Sequence, residues 1–128
     1  MKHWIFVIND TDKEFQRRMG DKKWPIFHYT GNRKQIHSGD KVIFYKAGIE
    51  GKTLLGTAKI SSELLNDENQ QDYFVALDEI KVWKKPVKIK NLVDSLEFIG
   101  DKVQWGRYLQ GGIREISEND YGIIVSKS

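Results

Sequence analysis

Residues 24–48 read WPIFHYTGNRKQIHSGDKVIFYKAG, and they decide the fold that we predict for the chain. Trp24 follows a predicted helix end, and Pro25 fixes its approach because the residue before a proline favours extended geometry. A polar loop then leads through a turn at residues 38–40 into the apolar strand 41–45. An aromatic ring, polar groups and cations beside a buried strand predict a pocket for a flat ligand that forms hydrogen bonds.

Other predicted strands lie on both sides of this stretch. They are residues 3–8, 53–60 and 73–82, and the second of these forms a hairpin with residues 41–45. Residues 3–8 are apolar on both faces, which is typical of a central strand. Gly56 and Ala58 share one face of their strand, which indicates a bulge, a close neighbouring backbone or space for a ligand.

Helices and connections complete the predicted order of elements. Residues 11–14 have the spacing of a capping box, so a helix begins near residue 11, and Gly20 is placed to end it. A second helix begins near Ser117, while Pro86 breaks a basic segment at residues 84–90. A turn at residues 49–52 and a mobile loop at residues 65–72 connect strands.

The pattern predicts an α+β domain built around a curled, mostly antiparallel sheet. The alternative is an open sheet with helices on one side. With 128 residues, 39% of them hydrophobic and 30% charged, we expect a single domain over residues 1–128. No segment has the length of a signal peptide or a membrane span, so we expect a cytoplasmic protein that does not bind membranes.

Composition also limits the kinds of functional site that the chain can contain. The chain has no cysteine, which excludes disulfides, thiolate metal sites and a cysteine nucleophile. The formal net charge of +3 permits a basic face for nucleic acid but does not require one. Four tryptophans in a short chain leave some indole rings available for stacking as well as for the core.

Five sequence features, taken in order, resemble the EVE domain, a member of the PUA-like superfamily that is related to YTH domains. They are HWIFVIN (3–9), KKWPIF (22–27), HSGDKVIFYKAG (37–48), LLGTAKI (54–60) and SLEFIGDKVQWGRYLQGGIREISENDYGII (95–124). The resemblance implies a PUA-like pseudo-barrel of five to six mostly antiparallel strands, with short helices after strand 1, before the tail and at the C-terminus. It also implies a pocket that recognises a modified nucleobase in RNA or in single-stranded or flipped DNA, with RNA favoured over DNA as the partner.

The resemblance assigns residues to this pocket by position. Trp24 matches the first aromatic wall, and Asn9 matches the polar residue that hydrogen-bonds the base edge. Tyr73 and Trp105 would close the cage, and Tyr29 on the polar loop is a further candidate. Stacking contributes about 1–3 kcal/mol per base, and a buried methyl group adds about 0.8 kcal/mol. Trp24 as a core residue and Asn9 as a helix cap remain open alternatives.

The expected phosphate contacts are cations close to the pocket residues or on the basic segment. They are Arg33, Lys34, Arg107, Lys85 and Lys88. A cationic face on an extended segment suits a nucleic-acid backbone, although such runs are commonly solvated faces without a function.

No catalytic or metal-binding motif is present. The three histidines lack metal-site spacing, and neither G-x-S-x-G nor a glycine-rich phosphate loop occurs. We therefore expect no catalytic residue, no metal and no cofactor. One alternative is a small amidohydrolase of the related ASCH branch acting on modified nucleosides, with Lys41 or Lys59, Thr57 and Glu79 as candidates. The other alternative is a protein-interaction domain, and the oligomeric state is left open.

Overall fold

The computed structural model describes residues 1–9, 11–48, 51–66 and 72–128. Its strands are β1 (His3–Ile8), β2 (Lys23–Ile26), β3 (Lys41–Lys46), β4 (Thr53–Ile60), β5 (Leu65–Asn66), β6 (Tyr73–Lys88) and β7 (Ile113–Ile116). Its α-helices are α1 (Asp12–Asp21) and α2 (Glu118–Ser126). Short 3₁₀ turns lie at Arg33–Gln35, Ile89–Asn91, Val93–Ser95 and Trp105–Leu109.

The strands form one mixed sheet that curls into a half-barrel. Its order is β2-β6-β4-β3-β1-β7, with β5 paired to β6 at the side. Only β1 and β3 pair in parallel among the described strands, and the other pairs are antiparallel. The predicted α+β pseudo-barrel is therefore confirmed, with seven strands in the described residues where the sequence predicted five or six. The helix expected before the tail is replaced by two 3₁₀ turns, at Ile89–Asn91 and Val93–Ser95.

Strand β1 is buried on both faces, as its apolar pattern predicts. Trp4 and Phe6 belong to a first core that also contains residues of α1, whereas Ile5 belongs to a second core on the opposite side of the strand. Alternation along the strand sends neighbouring side chains to opposite faces, so β1 separates the two cores. No helix in the described residues is long and apolar enough to span a membrane.

Helix α1 begins where the capping box predicts but ends later. The Thr11 hydroxyl accepts a hydrogen bond from the backbone N–H of Glu14 at 3.2 Å, which caps the first turn. The prediction that Gly20 ends the helix is wrong. The helix extends by one residue to Asp21, which forms an ion pair with Arg17 at 3.2 Å across the last turn. Lys22 then takes the left-handed cap conformation, with a φ of 54°.

Gly56 lies against a neighbouring backbone and leaves no room for a ligand. A Cβ atom at this position would lie 2.1 Å from the carbonyl oxygen of Lys81, and the β4–β6 register shifts beside it. Ala58 is buried in the first core. The ligand-space interpretation of these small residues is therefore wrong, and the interpretation of a bulge with a close backbone is correct.

Two other connections differ from the sequence prediction or fall outside the description. Strand β6 continues through Pro86 because this residue lies at the β4–β6 register shift, where the ladder needs no donor from it. Residues 49 and 50 of the predicted turn at 49–52 and residues 67–71 of the predicted loop at 65–72 lie outside the described residues. The first two residues of that predicted loop instead form strand β5. The predicted C-terminal helix is confirmed, and the Ser117 hydroxyl caps it.

The buried carboxylate of Asp40 ties the beginning of β1 to the beginning of β3. It accepts hydrogen bonds from the Trp4 indole N–H at 2.9 Å, the Lys2 backbone N–H at 2.9 Å and the His37 backbone N–H at 3.0 Å. The Asp40 backbone also joins β4, because its carbonyl accepts from the N–H of Ile60. One residue, through its side chain and its backbone, thus aligns three segments of the sheet.

We predict that Asp40→Ala destabilises the fold severely. The change leaves the buried indole N–H and two partly buried backbone donors without an acceptor. The loss should exceed about 3 kcal/mol, since each unsatisfied buried group costs about 1–3 kcal/mol. Urea unfolding followed by circular dichroism measures this loss. The control is Asp94→Ala, because Asp94 is exposed and should tolerate the change. Equal unfolding midpoints for the two variants would contradict the role of Asp40.

Candidate functional site

A cavity of about 1140 Å³ lies at the edge of the sheet where β1 and β3 end. Because the two strands run in parallel, with His3 opposite Lys41 and Ile8 opposite Lys46, their carboxyl ends meet at this edge. Strand β2, the loop at 27–31 and the segment 103–113 supply the remaining walls. This volume is slightly above the range of about 300–1000 Å³ that is usual for small-molecule pockets.

The charged residues in the cavity wall are cations. Arg18 and Lys52 contribute to the wall, and the described lining residues include no aspartate or glutamate. Glycines 48, 111 and 112 bring backbone close to the space, each with a positive φ. The wall therefore combines apolar rings, exposed backbone and positive charge.

Trp24 lines the cavity but is part of the core, with 2% of its surface exposed. Its ring stacks on Phe44 at a centroid distance of 4.9 Å and an interplanar angle of 27°. The guanidinium carbon of Arg18 lies 4.6 Å from the same indole. Two protein groups thus already cover the ring, and a base that stacked on it would have to displace Arg18.

Arg18 is held in this position by Glu14. Its Nε donates to Glu14 Oε1 at 3.0 Å, and Arg17 donates to the same carboxylate at 2.6 Å. Hydrogen bonds from Arg17 first, and then from Arg18, lower the pKa of Glu14 to about 2. The carboxylate therefore stays ionised at neutral pH and keeps Arg18 over the indole.

Tyr45 gives the cavity a polar group that the sequence analysis missed. The residue is 3% exposed, and burial raises the pKa of its phenol to about 12. Its hydroxyl has no hydrogen-bond partner within the part of the chain that the structure describes, so it stays neutral and able to donate or accept. The only sequence signal for it is its position near the end of the strand that leads to Gly48.

Asn9 and Trp105 lie at the cavity as the sequence predicts. Asn9 is exposed directly after β1, and its amide has no partner among the described residues. Helix α1 is capped by Thr11, so the alternative in which Asn9 caps the helix is wrong. Trp105 is half-buried, and the Lys52 ammonium lies 5.9 Å from its ring centroid.

Asp101 and Tyr108 fix the loop that carries Trp105. Asp101 Oδ1 accepts from the backbone N–H groups of Val103 at 3.0 Å and Gln104 at 3.1 Å. These bonds lower the pKa of Asp101, with the bond from Gln104 contributing most. The Tyr108 hydroxyl in turn accepts from the Asp101 N–H at 2.9 Å. The indole is therefore presented by an ordered turn.

Four of the five predicted base-pocket residues come together in the cavity wall. They are Asn9, Trp24, Tyr29 and Trp105. Tyr73 does not line the cavity, because it pairs with Ile26 at the start of β6 and packs against the first core. Its ring faces the guanidinium of Arg33 at 5.8 Å instead. The predicted cage lacks this wall.

The predicted phosphate contacts all lie outside the cavity wall. Arg33 donates to the carbonyl of Thr30 at 2.9 Å, and Arg107 donates to the hydroxyl of Tyr108 at 3.3 Å. Lys34, Lys85 and Lys88 are exposed, and Lys88 pairs with Thr53 next to the cavity residue Lys52. Lys52 and Arg18 are the cations that the sequence analysis missed.

The residues considered for amidohydrolase chemistry do not reach the cavity. Lys41, Thr57, Lys59 and Glu79 are absent from its wall. Lys41 instead lies 5.8 Å from the ring of Tyr121 on another face of the sheet. Within the described ranges, no group of three or more histidine or carboxylate side chains could hold a metal ion.

Comparison with known proteins identifies the fold. The family model of the EVE domain matches residues 2–127. A UPF0310 protein of Pyrococcus abyssi is 28% identical over 98% of this chain and 99% of its own length. Its whole length is thus matched.

Two solved structures share this fold at low sequence identity. The human THYN1 protein, in complex with 5-methylcytosine containing DNA, has a TM-score of 0.67 and 10% identity and covers 99% of this chain and 97% of its own. The YTH domain of the Zygosaccharomyces rouxii MRB1 protein, in complex with N6-methyladenosine RNA, has a TM-score of 0.69 and 16% identity and covers 98% of this chain and 86% of its own.

We predict that Trp24→Ala unfolds or strongly destabilises the protein, whereas Trp105→Ala does not. Removing the indole of Trp24 leaves a hole against Phe44, and a core Trp→Ala change costs about 3–5 kcal/mol. Trp105 is half-buried in a 3₁₀ turn at the margin of the second core, so its loss should cost about 1–2 kcal/mol. Urea titration of both variants measures the difference. Similar unfolding midpoints would show that Trp24 is not a core residue.

We also predict that Glu14→Gln lowers stability in a pH-dependent way. The folded pKa of about 2 is below the ordinary value of 4.5, so the stabilisation is present above pH 4.5 and is lost as pH falls towards 2. At pH 7 the variant should lose about 0.5–1 kcal/mol, as is usual for ion pairs near the surface. Urea melts at several pH values test this, with Asp94→Asn as the control. A difference that stayed constant from pH 7 to pH 2.5 would contradict the assignment.

Proposed function

Because the chain belongs to the EVE domain family, we propose that it binds nucleic acid and takes a modified nucleobase into the cavity at the ends of β1 and β3. The observation that carries the proposal is the character of the cavity wall, which has aromatic rings, two cations and no described carboxylate. A polyanion that presents a flat ring fits such a wall. Proteins with the same fold in complex with 5-methylcytosine DNA and with N6-methyladenosine RNA support the same function.

The unpaired polar groups would read the edge of the base. The neutral hydroxyl of Tyr45 and the amide of Asn9 both donate and accept, and neither has a partner among the described residues. A base edge that lacked the matching groups would shield the hydroxyl of Tyr45 from water without replacing its hydrogen bond, which costs about 1–3 kcal/mol. This pairing would set the identity of the base.

The aromatic groups would hold the ring and the modification. Trp105 is half-buried with part of its surface open to the cavity, so it is the better stacking face, while Trp24 supports the wall from within the core. A methyl group in the cavity gains about 0.8 kcal/mol from burial. Lys52, beside Trp105, and the exposed Arg107 would contact the phosphates.

We further propose that the protein acts by binding and not by catalysis, with RNA as the preferred partner. A base must leave its stack to enter a closed cavity, and this costs less in a single strand than in a duplex. The residues that could perform amide hydrolysis lie on other faces of the molecule. Incubation of the pure protein with acetylated or methylated nucleosides tests this part, since any turnover would contradict it.

The main test is a binding panel of short single-stranded RNA and DNA oligonucleotides, each with one modified base. We expect the wild type to bind at least one modified member more tightly than its unmodified counterpart, and to bind more weakly as salt rises. Tyr45→Phe should weaken that complex by about 3- to 10-fold, the value of one net hydrogen bond. Trp105→Ala should weaken it by about 10-fold or more through lost stacking.

Matched controls separate local from general effects. Tyr121→Phe removes a half-buried hydroxyl outside the cavity, and Trp83→Ala removes a half-buried indole outside it. Both should bind like the wild type. Equal affinity of the wild type for modified and unmodified members across the whole panel would overturn the proposed function. Binding to a protein partner without any binding to nucleic acid would do the same.

A further inference from the structure

Exposed apolar side chains are concentrated at the rim of the cavity. The large exposed hydrophobic residues of the described chain are Met1, Phe27, Tyr29, Leu65, Val82 and Val103. Phe27, Tyr29 and Val103 all line the cavity. Apolar surface that stays in water beside a binding cavity indicates that a ligand covers it.

Phe27 and Tyr29 form a flat aromatic ledge. Their ring centroids are 5.5 Å apart and their planes differ by only 4°, an offset-stacked arrangement. The side chains are 42% and 72% exposed, so the pair presents ring surface to solvent as well as to the cavity. A parallel pair of exposed rings offers the geometry on which a nucleobase stacks.

The ledge is held in place by its surroundings. The backbone nitrogen and the ring Nδ1 of His28 each lie 2.9 Å from Asp72 Oδ1. The imidazole ring of His28 meets the ring of Tyr29 edge-on, with their centroids 5.3 Å apart. The N–H of Thr30 donates to the carbonyl of Phe27 at 3.0 Å, which closes the turn. The rings are therefore organised before a ligand arrives, and little entropy is lost on stacking.

We propose that the Phe27–Tyr29 ledge stacks the nucleobase that neighbours the one in the cavity, so that the preferred ligand is a single strand and not a free modified nucleoside. This inference rests on the proposed function, because it uses the cavity as the site of the first base. The ledge is continuous with the cavity wall, and the next turn carries Arg33 and the exposed Lys34, which suit the phosphates of a continuing strand. The patch consists of two rings, which is small for a protein interface of about 800 Å² per partner.

The test measures affinity for three ligands that carry the same modified base. The first is an oligonucleotide with ordinary neighbours, the second has an abasic residue on each side, and the third is the nucleoside monophosphate. We expect the wild type to bind the abasic ligand about 10-fold more weakly than the first, and the monophosphate more weakly still. Tyr29→Ala should bind the first ligand about 10-fold more weakly than the wild type does.

A double-mutant cycle identifies the contact. If Tyr29 stacks the neighbouring base, Tyr29→Ala and the abasic substitution remove the same interaction, so Tyr29→Ala should bind the first two ligands equally. Leu65→Ala, which truncates an exposed apolar side chain away from the cavity, should behave like the wild type. Tyr29 is in an exposed turn, and melting curves check that Tyr29→Ala is folded.

The outcomes separate the ledge from the proposed function. If the wild type binds the abasic ligand as tightly as the ordinary strand, the ledge proposal is wrong, and the proposal of a base-binding cavity is unaffected. If Tyr29→Ala lowers the affinity for the ordinary and the abasic oligonucleotide by the same factor, Tyr29 contacts the base in the cavity and the ledge proposal is also wrong. If affinity depends on the neighbours and on Tyr29 but not on the modification, the ledge stands and modified-base recognition is wrong. If no oligonucleotide binds, both are wrong.

Discussion

The buried carboxylate of Asp40 is the constraint on which the rest of the structure depends. It collects three N–H donors from residues 2, 4 and 37, and so fixes where β1 and β3 begin. Parallel strands have no tight turn to set their register, so this side-chain anchor and the hydrophobic pattern of the two strands set it together. Since the two strands start together and are of equal length, they also end together, and the cavity opens at that end.

The same arrangement explains why the cavity has both apolar and polar walls. Strand β1 separates two cores, and the cavity lies beyond its end, where side chains of both cores meet the loops. Trp24 and Ile113 come from the first core, whereas Tyr45 and Leu109 come from the second. A group such as the Tyr45 hydroxyl can remain unpaired among the described residues because it borders this open space, where water or a ligand satisfies it.

Much of the fold and part of the site could be predicted from the sequence. The two-sided apolar pattern of residues 3–8 and the capping box at Thr11 are local signals. The elements that they predict depend on neighbouring residues and not on distant contacts. Asn9 and Trp105 were assigned to the pocket by the family resemblance, from their positions in the ordered motifs. Tyr45 was not, because a tyrosine in an apolar strand looks the same whether its hydroxyl meets protein or open space. Tyr73 was misplaced because its neighbours depend on the β2–β6 register, which the sequence of one strand does not encode.

The division of the cavity wall between sheet and loops has a consequence for how its specificity can change. Replacing Trp24 would disrupt the core, because its indole stacks on Phe44 and is covered by the guanidinium of Arg18. Asn9, Tyr29 and Trp105 are carried by connecting segments and not by the sheet. For the proposed base-binding function, a library that varies these three positions alone is therefore expected to redirect recognition to a different ring while the packing of the sheet is kept.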